Sequence, residues 1–277
     1  MYFLKNARLL LLMVLLLPTA VIYAQHSILP NAYAHNDYWH KRPLLDALDN
    51  GFRYIEADVY LRDNQLVVAH ILPRFKKIKT LEDLYLIPLM KYVAGYANAP
   101  HLSGKNPCSL TLMIDIKSGA GKTYAALALL LEKYKCILSG YKDGQLTIRS
   151  VTVVITGHKP TELIRNQTNR LVFMDEDLKQ VGKDSSVNIY PIASCKYSSL
   201  LKWKGKGAIS SDEIQQLKFY VAEAHKNGRK VRLWASPENK RVWSELLKCN
   251  VDLINTDRLT TLRKFLTSDL SLVAKVE

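Results

Sequence analysis

The chain has 277 residues, of which 48% are hydrophobic and 23% charged, and its net charge is +14. This balance is typical of a folded globular protein and excludes a disordered or fibrous chain. The positive charge favours anionic ligands such as phosphates or lipid head groups. The basic residues are scattered and are not interleaved with aromatic residues, so we expect no nucleic-acid partner.

The first residues have the pattern of a secretory signal peptide. Lys5 and Arg8 precede an apolar run over residues 9–17, and small residues follow Pro18 up to Ala24. The run is shorter than the roughly 20 apolar residues that a membrane span needs. We therefore predict that residues 1–24 are removed and that the protein is exported to the periplasm or the extracellular space. An uncleaved membrane anchor is the alternative.

The cysteines give no clear framework. They are Cys108, Cys136, Cys195 and Cys249, and their wide spacing matches no metal motif. Export permits disulfides. One bridge and no bridge are both compatible with this pattern.

Apolar stretches of strand length alternate with longer stretches of helical period from about residue 30 onward. The predicted strands are a short segment before His35 and residues 52–59, 110–116, 151–156, 170–174, 187–193, 231–234 and 251–255. The predicted helices are residues 43–50, a helix opening at the Thr80–Asp83 capping pattern, and residues 120–138, 211–227 and 237–249. Such alternation predicts a mainly parallel sheet covered by helices.

About eight strands in about 250 residues favour a TIM-type (β/α)8 barrel of the α/β class. No glycine-rich dinucleotide fingerprint follows the first strand, which weakens the alternative of an open doubly wound sheet. We therefore predict a single barrel domain over residues 25–277. Residues 65–70 follow the second strand too closely for an intervening helix, and they predict a hairpin at the top of the barrel.

Ionisable residues occur where a barrel enzyme carries its reactive groups, at the carboxyl ends of strands. His35 ends the first segment. Glu56 and Asp58 lie two apart near the end of the second strand, so their side chains share one face. Two ionised carboxylates side by side in an apolar strand repel each other, and a bound divalent cation removes that conflict.

Two further strand ends carry matching groups. Asp115 and Lys117 share a face at the end of residues 110–116, and His70 ends the predicted hairpin. Carboxylate ligands favour Mg²⁺ or Ca²⁺ over zinc. Each pattern alone is common as a salt bridge, a solvated pair or a hydrogen-bonded histidine. Their joint occurrence at strand ends favours a site that binds a metal and a phosphate.

These residues resemble the glycerophosphodiester phosphodiesterase and phosphatidylinositol-specific phospholipase C superfamily. The resemblance covers most of residues 25–277, is strongest over residues 34–70, resumes at 113–117 and closes at 232–235 and 255–259. It implies metal-dependent hydrolysis of phosphoric diesters, above all glycerophosphodiesters. It also implies catalytic roles for His35 and His70, and metal ligation by Glu56, Asp58 and Asp115.

The chain departs from the usual superfamily pattern at several positions. Asn36 and Asp37 stand where arginine and glycine usually follow the first histidine, and Ile71 stands where an aspartate usually follows the second. The Asp115-Ile116-Lys117 sequence is similar to the sphingomyelinase D branch, and the His-Asn-Asp-Tyr opening is similar to an exported bacterial branch. These departures concern the substrate more than the fold.

The candidate substrate-binding residues are Lys117, Trp234, Asn36 and His158. Barrel packing is the alternative for Trp234, and a simple loop position is the alternative for His158. Arg149 and Arg232 flank strands; we expect each to be a structural cation, and binding of an anion is the alternative. Asp257 matches a residue near the end of the superfamily pattern and is expected either to position a neighbour or to cap a helix.

Two other functions remain open at this stage. One is a phospholipase of C or D type that acts on intact phospholipid, with transient contact with a membrane surface. The other is a non-catalytic secreted barrel that binds phosphate or sugar; the presence of both histidines and all three acids argues against it. The expected partner is a small or lipid-head-group phosphodiester, and no protein partner is inferred.

Overall fold

The protein is described by a computed structural model over residues 27–71, 79–97, 109–183 and 188–273. The predicted signal peptide, residues 1–24, and Cys108 lie outside these ranges. Cys136, Cys195 and Cys249 are free thiols. Among the described residues, no helix has the length and apolar character that a membrane crossing requires.

The chain alternates between strands and helices, as predicted. The strands in chain order are β1 (Ala32–Ala34), β2 (Tyr54–Arg62), β3 (Gln65–Val68), β4 (Leu110–Ile116), β5 (Gly140–Lys142), β6 (Gln145–Thr147), β7 (Val151–Gly157), β8 (Asn169–Arg170), β9 (Phe173–Asp177), β10 (Ile192–Lys196), β11 (Lys230–Trp234) and β12 (Ile254–Thr256). The helices are α1 (Leu45–Asp49), α2 (Ile87–Ala97), α3 (Ala120–Glu132), α4 (Thr161–Arg165), α5 (Ser211–Lys226), α6 (Lys240–Lys248) and α7 (Leu259–Val273).

Eight parallel strands form a nearly closed barrel, which confirms the predicted TIM-type α/β fold. Their order around the barrel is β11-β10-β9-β7-β4-β2-β1-β12. A parallel bridge between Arg232 and Leu253 joins the two ends of this sequence and closes the ring. The short strand β3 pairs antiparallel with β2, which confirms the hairpin expected at this point.

The barrel interior has an apolar floor and a polar layer above it. The floor is a buried cluster of inward-facing side chains: Tyr33, Met113, Val154, Phe173, Ile192 and Leu253. Because alternate residues of a strand share a face, the next inward side chain lies two positions further along each strand. That step leads to Asp115, Thr156, Asp175 and Ser194, so the polar layer lies at the carboxyl ends of the strands.

Four predicted strands begin later than expected, among them residues 52–59 at Tyr54 and residues 251–255 at Ile254. Residues 170–174 are divided between β8, which pairs with β5 outside the barrel, and β9, which begins at Phe173. The Arg170 guanidinium stacks over the Tyr141 ring at 4.2 Å, and this contact holds β8 on β5. The strand predicted over residues 187–193 begins at Ile192, and residue 187 lies outside the described ranges.

The β5–β6 hairpin was missed although the sequence carried its signal. Asp143 and Gly144 form the two-residue turn, with φ angles of 47° and 85°. An Asp-Gly pair between short apolar segments favours this turn because both residues need positive φ. The hairpin lies outside the barrel and leaves the predicted site unchanged.

The helices mostly follow their predicted starts. Thr80 and Asp83 form the expected cap, with the Asp83 amide donating to Thr80 Oγ1 at 3.1 Å, although the first turn over Glu82–Leu86 is a π-helix. Helix α6 begins at Lys240 with Asn239 as its N-cap, so the predicted start at residue 237 is corrected. Helix α3 ends at Glu132, before the predicted residue 138.

A buried carboxyl group fixes the loop that follows β1. One Asp37 oxygen accepts the Leu44 amide at 2.6 Å and lies 3.0 Å from the Tyr85 hydroxyl. Burial raises the pKa of Asp37 from its ordinary 3.8 to about 6. The loop between β1 and α1 therefore depends on a carboxyl group that favours its neutral form.

This group makes the fold less stable as the pH rises. The unfolded chain releases the Asp37 proton from about pH 4, whereas the folded chain retains it until about pH 6, so its contribution falls over that interval by about 2 kcal/mol. Asp37→Asn keeps both hydrogen bonds without the ionisation. In urea unfolding, we expect wild type to lose stability relative to this variant over the interval. A constant difference would contradict the expectation.

Candidate active site

The three predicted metal ligands converge at the barrel mouth. Glu56 and Asp58 extend inward from β2, and Asp58 lies in register with Asp115 on β4. One ligand oxygen from each carboxylate lies within 4.8 Å of the others. Glu56 and Asp58 are buried, whereas Asp115 is partly buried. Acids from separate segments therefore form one carboxylate cluster.

Each carboxylate of this cluster has one oxygen held by the protein. Glu56 Oε2 accepts the Tyr33 hydroxyl at 2.5 Å and the Arg232 guanidinium at 2.8 Å. Lys117 Nζ lies 2.6 Å from Asp115 Oδ2 and 3.3 Å from Asp58 Oδ2. These contacts fix the orientation of the carboxylates before any ligand binds.

The opposite oxygens of two acids are buried without a partner. Within the described residues, Asp58 Oδ1 and Asp115 Oδ1 have no hydrogen-bond donor. A buried carboxylate oxygen without a partner is costly, and a divalent cation would supply the missing interaction. Hard oxygen ligands suit Mg²⁺ and Ca²⁺. The cluster therefore fits a divalent cation, as predicted.

Arg232 and Lys117 partly neutralise the negative charge of the three acids. Burial would raise the pKa of Glu56, but the charges of Arg232, His35 and Lys117 and the Tyr33 hydrogen bond together outweigh it and hold that pKa below its usual value. Burial raises the pKa of Asp115, although Lys117 opposes the shift. Burial would lower the pKa of Lys117, but its contacts with Asp115 raise it instead. The three acids and two cations leave a net negative charge at this point.

His35 lies beside the cluster and is oriented by Asp257. Its Nδ1 is 2.6 Å from Asp257 Oδ1, and its Nε2 is 3.6 Å from Glu56 Oε1. Because an ionised carboxylate only accepts, Nδ1 carries the hydrogen and Nε2 faces the site. Burial opposes the charged ring, but the Asp257 hydrogen bond and Glu56 outweigh it and raise the pKa of His35. Asp257 thus takes the positioning role that was one of its two expected roles.

His70 also contacts the cluster, through its other ring nitrogen. Its Nδ1 is 3.1 Å from Asp58 Oδ2, so the same argument leaves Nε2 available to a substrate. The Trp39 ring packs edge-on against the imidazole, with centroids 5.6 Å apart. The His70 side chain is about half exposed. His35 therefore meets the carboxylate cluster through Nε2, and His70 meets it through Nδ1.

The four predicted substrate-binding residues take different positions. Lys117 lies in the carboxylate cluster. Trp234 lies on the inward face of β11 and is 39% exposed, and Lys196 Nζ is 5.8 Å from the centre of its ring. His158 is exposed at the end of β7, with Nδ1 3.2 Å from the Ser118 carbonyl. These three residues lie at the barrel mouth.

Asn36 lies behind His35 instead of at the open rim. It is buried in a left-handed conformation with φ of 46°. Its Nδ2 is 3.3 Å from Asp257 Oδ1, and its Oδ1 accepts the Tyr38 hydroxyl at 2.7 Å. The structure thus gives Asn36 contacts that position His35, and its substrate contact stays a prediction.

Sequence reasoning missed three side chains that shape the site. Arg232 was expected to be a structural cation, and its guanidinium pairs with Glu56 in the barrel interior, a partner that the sequence did not reveal. Tyr33 donates to the same carboxylate, and Asp175 faces inward from β9. The sequence did carry a signal for two of these residues, namely their two-residue spacing from predicted site residues. Tyr33 lies two residues before His35, and Arg232 lies two residues before Trp234. Residues so spaced share a strand face.

A glycine makes room for the Asp115 carboxylate. Gly157 has a φ of 70°, and an added Cβ would overlap Asp115 Oδ1 and approach the Ile116 carbonyl to 2.6 Å. The side chain of residue 115 therefore occupies space that only glycine leaves open.

Gly157→Ala is expected to displace this carboxylate and to lower both cation affinity and turnover by about tenfold or more. Gly144→Ala is the matched control, because Gly144 also has a positive φ but has open space around it. Both variants should lose about 1 kcal/mol of stability from backbone strain. Thermal melting and cation titration separate the two effects, and equal cation affinity in both variants would contradict the expectation.

Comparison with known proteins agrees with the geometry of this site. The profile of the family described as AIM6-like phosphodiesterase domain matches residues 24–175. The chain belongs to this family. The matched region contains both histidines and the whole carboxylate cluster. The resemblance to the phosphodiesterase superfamily is thereby confirmed.

Members of the AIM6-like family from fungi align with most of the chain. Altered inheritance of mitochondria protein 6 from Eremothecium gossypii is 30% identical over 280 residues, which cover 86% of this chain and 70% of that protein. The protein of the same name from Kluyveromyces lactis is 28% identical over 307 residues, covering 86% and 73%.

A solved structure shares the barrel. Glycerophosphodiester phosphodiesterase from Agrobacterium tumefaciens superimposes with a TM-score of 0.50 at 14% identity, covering 87% of this chain and 100% of that one. At this identity the likeness concerns the fold. The chain is therefore an AIM6-like phosphodiesterase-family protein built on the TIM-type barrel.

Proposed function

We propose that this protein is a metal-dependent phosphoric diester hydrolase that cleaves glycerophosphodiesters. One observation carries the proposal: two histidines, each with Nδ1 on a carboxylate, lie against three acids that each offer one oxygen to a common point. Membership of a phosphodiesterase family supports it. The same proposal keeps residues 1–24 as a signal peptide and the mature protein as an exported enzyme.

The chemistry divides between the carboxylate cluster and the histidines. A divalent cation held by Glu56, Asp58 and Asp115 would supply a Lewis acid for a non-bridging phosphate oxygen. One histidine Nε2 accepts the proton of the nucleophile and the other donates a proton to the leaving alkoxide, since imidazole titrates near neutral pH. The nucleophile is either water or the neighbouring hydroxyl of the substrate, which would form a cyclic phosphate first.

Lys117 adds a positive charge next to the phosphate position. Its ammonium already bridges Asp58 and Asp115 at the barrel mouth. A bound diester would bring a further negative charge within reach of the same ammonium, and this contact strengthens as charge develops in the transition state. Asp257 and Asp58 hold the imidazole rings in the required orientation.

A diester screen tests the proposal on the purified protein comprising residues 25–277. With Mg²⁺ or Ca²⁺ added, we expect release of the alcohol and a phosphomonoester from glycerophosphodiesters, and His35→Ala serves as the inactive control. Micellar phospholipids are tested beside them. Cleavage of phospholipid alone would favour a phospholipase, and cleavage of no diester would overturn the proposal.

A further inference from the structure

A second acid in the barrel interior lies outside the carboxylate cluster. Asp175 faces inward from β9 and is 4% exposed. Its Oδ2 accepts the Thr156 hydroxyl at 3.1 Å and also the Ser194 hydroxyl. Within the described residues, its Oδ1 is buried and has no hydrogen-bond partner. A purely structural carboxylate normally has both oxygens satisfied, so the free oxygen requires an explanation.

The strand register places Asp175 in the same row as the carboxylate cluster. Asp58 is in register with Asp115, and Asp115 with Thr156. The β7–β9 pairing aligns Val154 with Phe173, so the residue two positions beyond Phe173 continues the row next to Thr156. Strands lie about 4.8 Å apart, which puts Asp175 about 10 Å from Asp115 along the barrel wall. A diester would span this distance if its phosphate lay at the carboxylate cluster and its small alcohol group lay over Thr156.

Two cations lie close enough to Asp175 to oppose the effect of its burial. Burial raises its pKa, and the nearby charges of Lys159 and Arg232 oppose that shift. Lys159 Nζ also donates to the Asp175 main-chain carbonyl at 2.5 Å. A further cation would meet repulsion from these two groups. The free oxygen therefore fits a neutral donor, as Thr156 and Ser194 already are at the other oxygen.

We propose that Asp175 is a specificity-determining residue that accepts a hydrogen bond from a hydroxyl on the alcohol esterified to the phosphate. The inference rests on the proposed diesterase function and assigns recognition of the glycerol hydroxyls of its substrates to Asp175. Thr156 and Ser194 hold the carboxylate in place. A site built around such a hydrogen bond discriminates strongly against an analogue that lacks the hydroxyl, because the buried acceptor is then left unpaired.

Direct binding of product-like monoesters tests this subsite without relying on turnover. Glycerol 3-phosphate and propyl phosphate differ only in their hydroxyl groups, and calorimetry with Mg²⁺ present measures both. We expect wild type to prefer glycerol 3-phosphate by about tenfold or more, and Asp175→Asn to reduce that preference to about threefold or less. Asp177→Asn, on the same strand with a side chain that caps a 3₁₀ turn, is the matched control.

The outcomes separate this inference from the proposed function. Equal wild-type affinity for the two esters would overturn the subsite even when diesters are cleaved. A preference for phosphoethanolamine that Asp175→Asn removes would overturn it too, since the ligand group would then be a cation. If Asp175→Asn fails to fold, Ser194→Ala replaces it and is expected to weaken the preference for glycerol 3-phosphate. The comparison of the two esters in wild type requires no variant. Absence of diester cleavage would overturn the proposed function, while these affinities remain measurable.

Discussion

His35→Ala and His70→Ala are each expected to lower kcat for a glycerophosphodiester by about 10²- to 10⁴-fold, the usual contribution of a general acid or base. Both rings contact the carboxylate cluster and are held through Nδ1 by Asp257 and Asp58. An alanine leaves the cluster without its proton acceptor or donor. The loss should therefore fall on kcat more than on KM.

His225→Ala provides the matched control for these variants. His225 bonds Asp252 through Nε2 at 2.7 Å, and Asp252 immediately precedes Leu253 of the barrel floor, away from the carboxylate cluster. We expect it to keep wild-type turnover. Melting temperatures of the three variants exclude unfolding as the cause of any loss. Turnover within about threefold of wild type in either His35→Ala or His70→Ala would contradict the acid-base assignment.

The sequence was sufficient to predict the barrel and most of the carboxylate cluster. Strand and helix periods alternate without long interruptions, and parity along β2 places Glu56 and Asp58 on one face. The ends of parallel strands meet at one edge of a barrel, which brings Asp115 to the same place. These inferences depend only on position within a strand.

The missing parts of the site depend on register between strands and on loop geometry. Arg232 reaches Glu56 because β11 and β12 close the barrel beside β1 and β2, and no local pattern reveals this contact. Asp175 was missed because the predicted strand began at residue 170 and ended before it. The contact between Asn36 and Asp257 depends on a left-handed backbone that the sequence does not reveal.

Removal of divalent cations is expected to reduce hydrolysis to background, and added Mg²⁺ or Ca²⁺ should restore it. The reason is electrostatic: the carboxylate cluster keeps an excess negative charge, and two of its buried oxygens have no donor among the described residues. A cation at about 100 times its Kd should also stabilise the fold by about 2.7 kcal/mol, visible as a higher melting temperature. This second readout requires no substrate.

Asp115→Asn is the sharpest variant for this prediction. It removes one ligand charge and the ion pair with Lys117, so the cation-dependent rise in melting temperature should largely disappear, and turnover should fall by about 100-fold. Asp143→Asn, in the β5–β6 turn outside the barrel, should keep both properties. Full hydrolysis in the presence of a chelator, with no change in melting temperature on adding either cation, would show that Arg232 and Lys117 alone compensate the cluster.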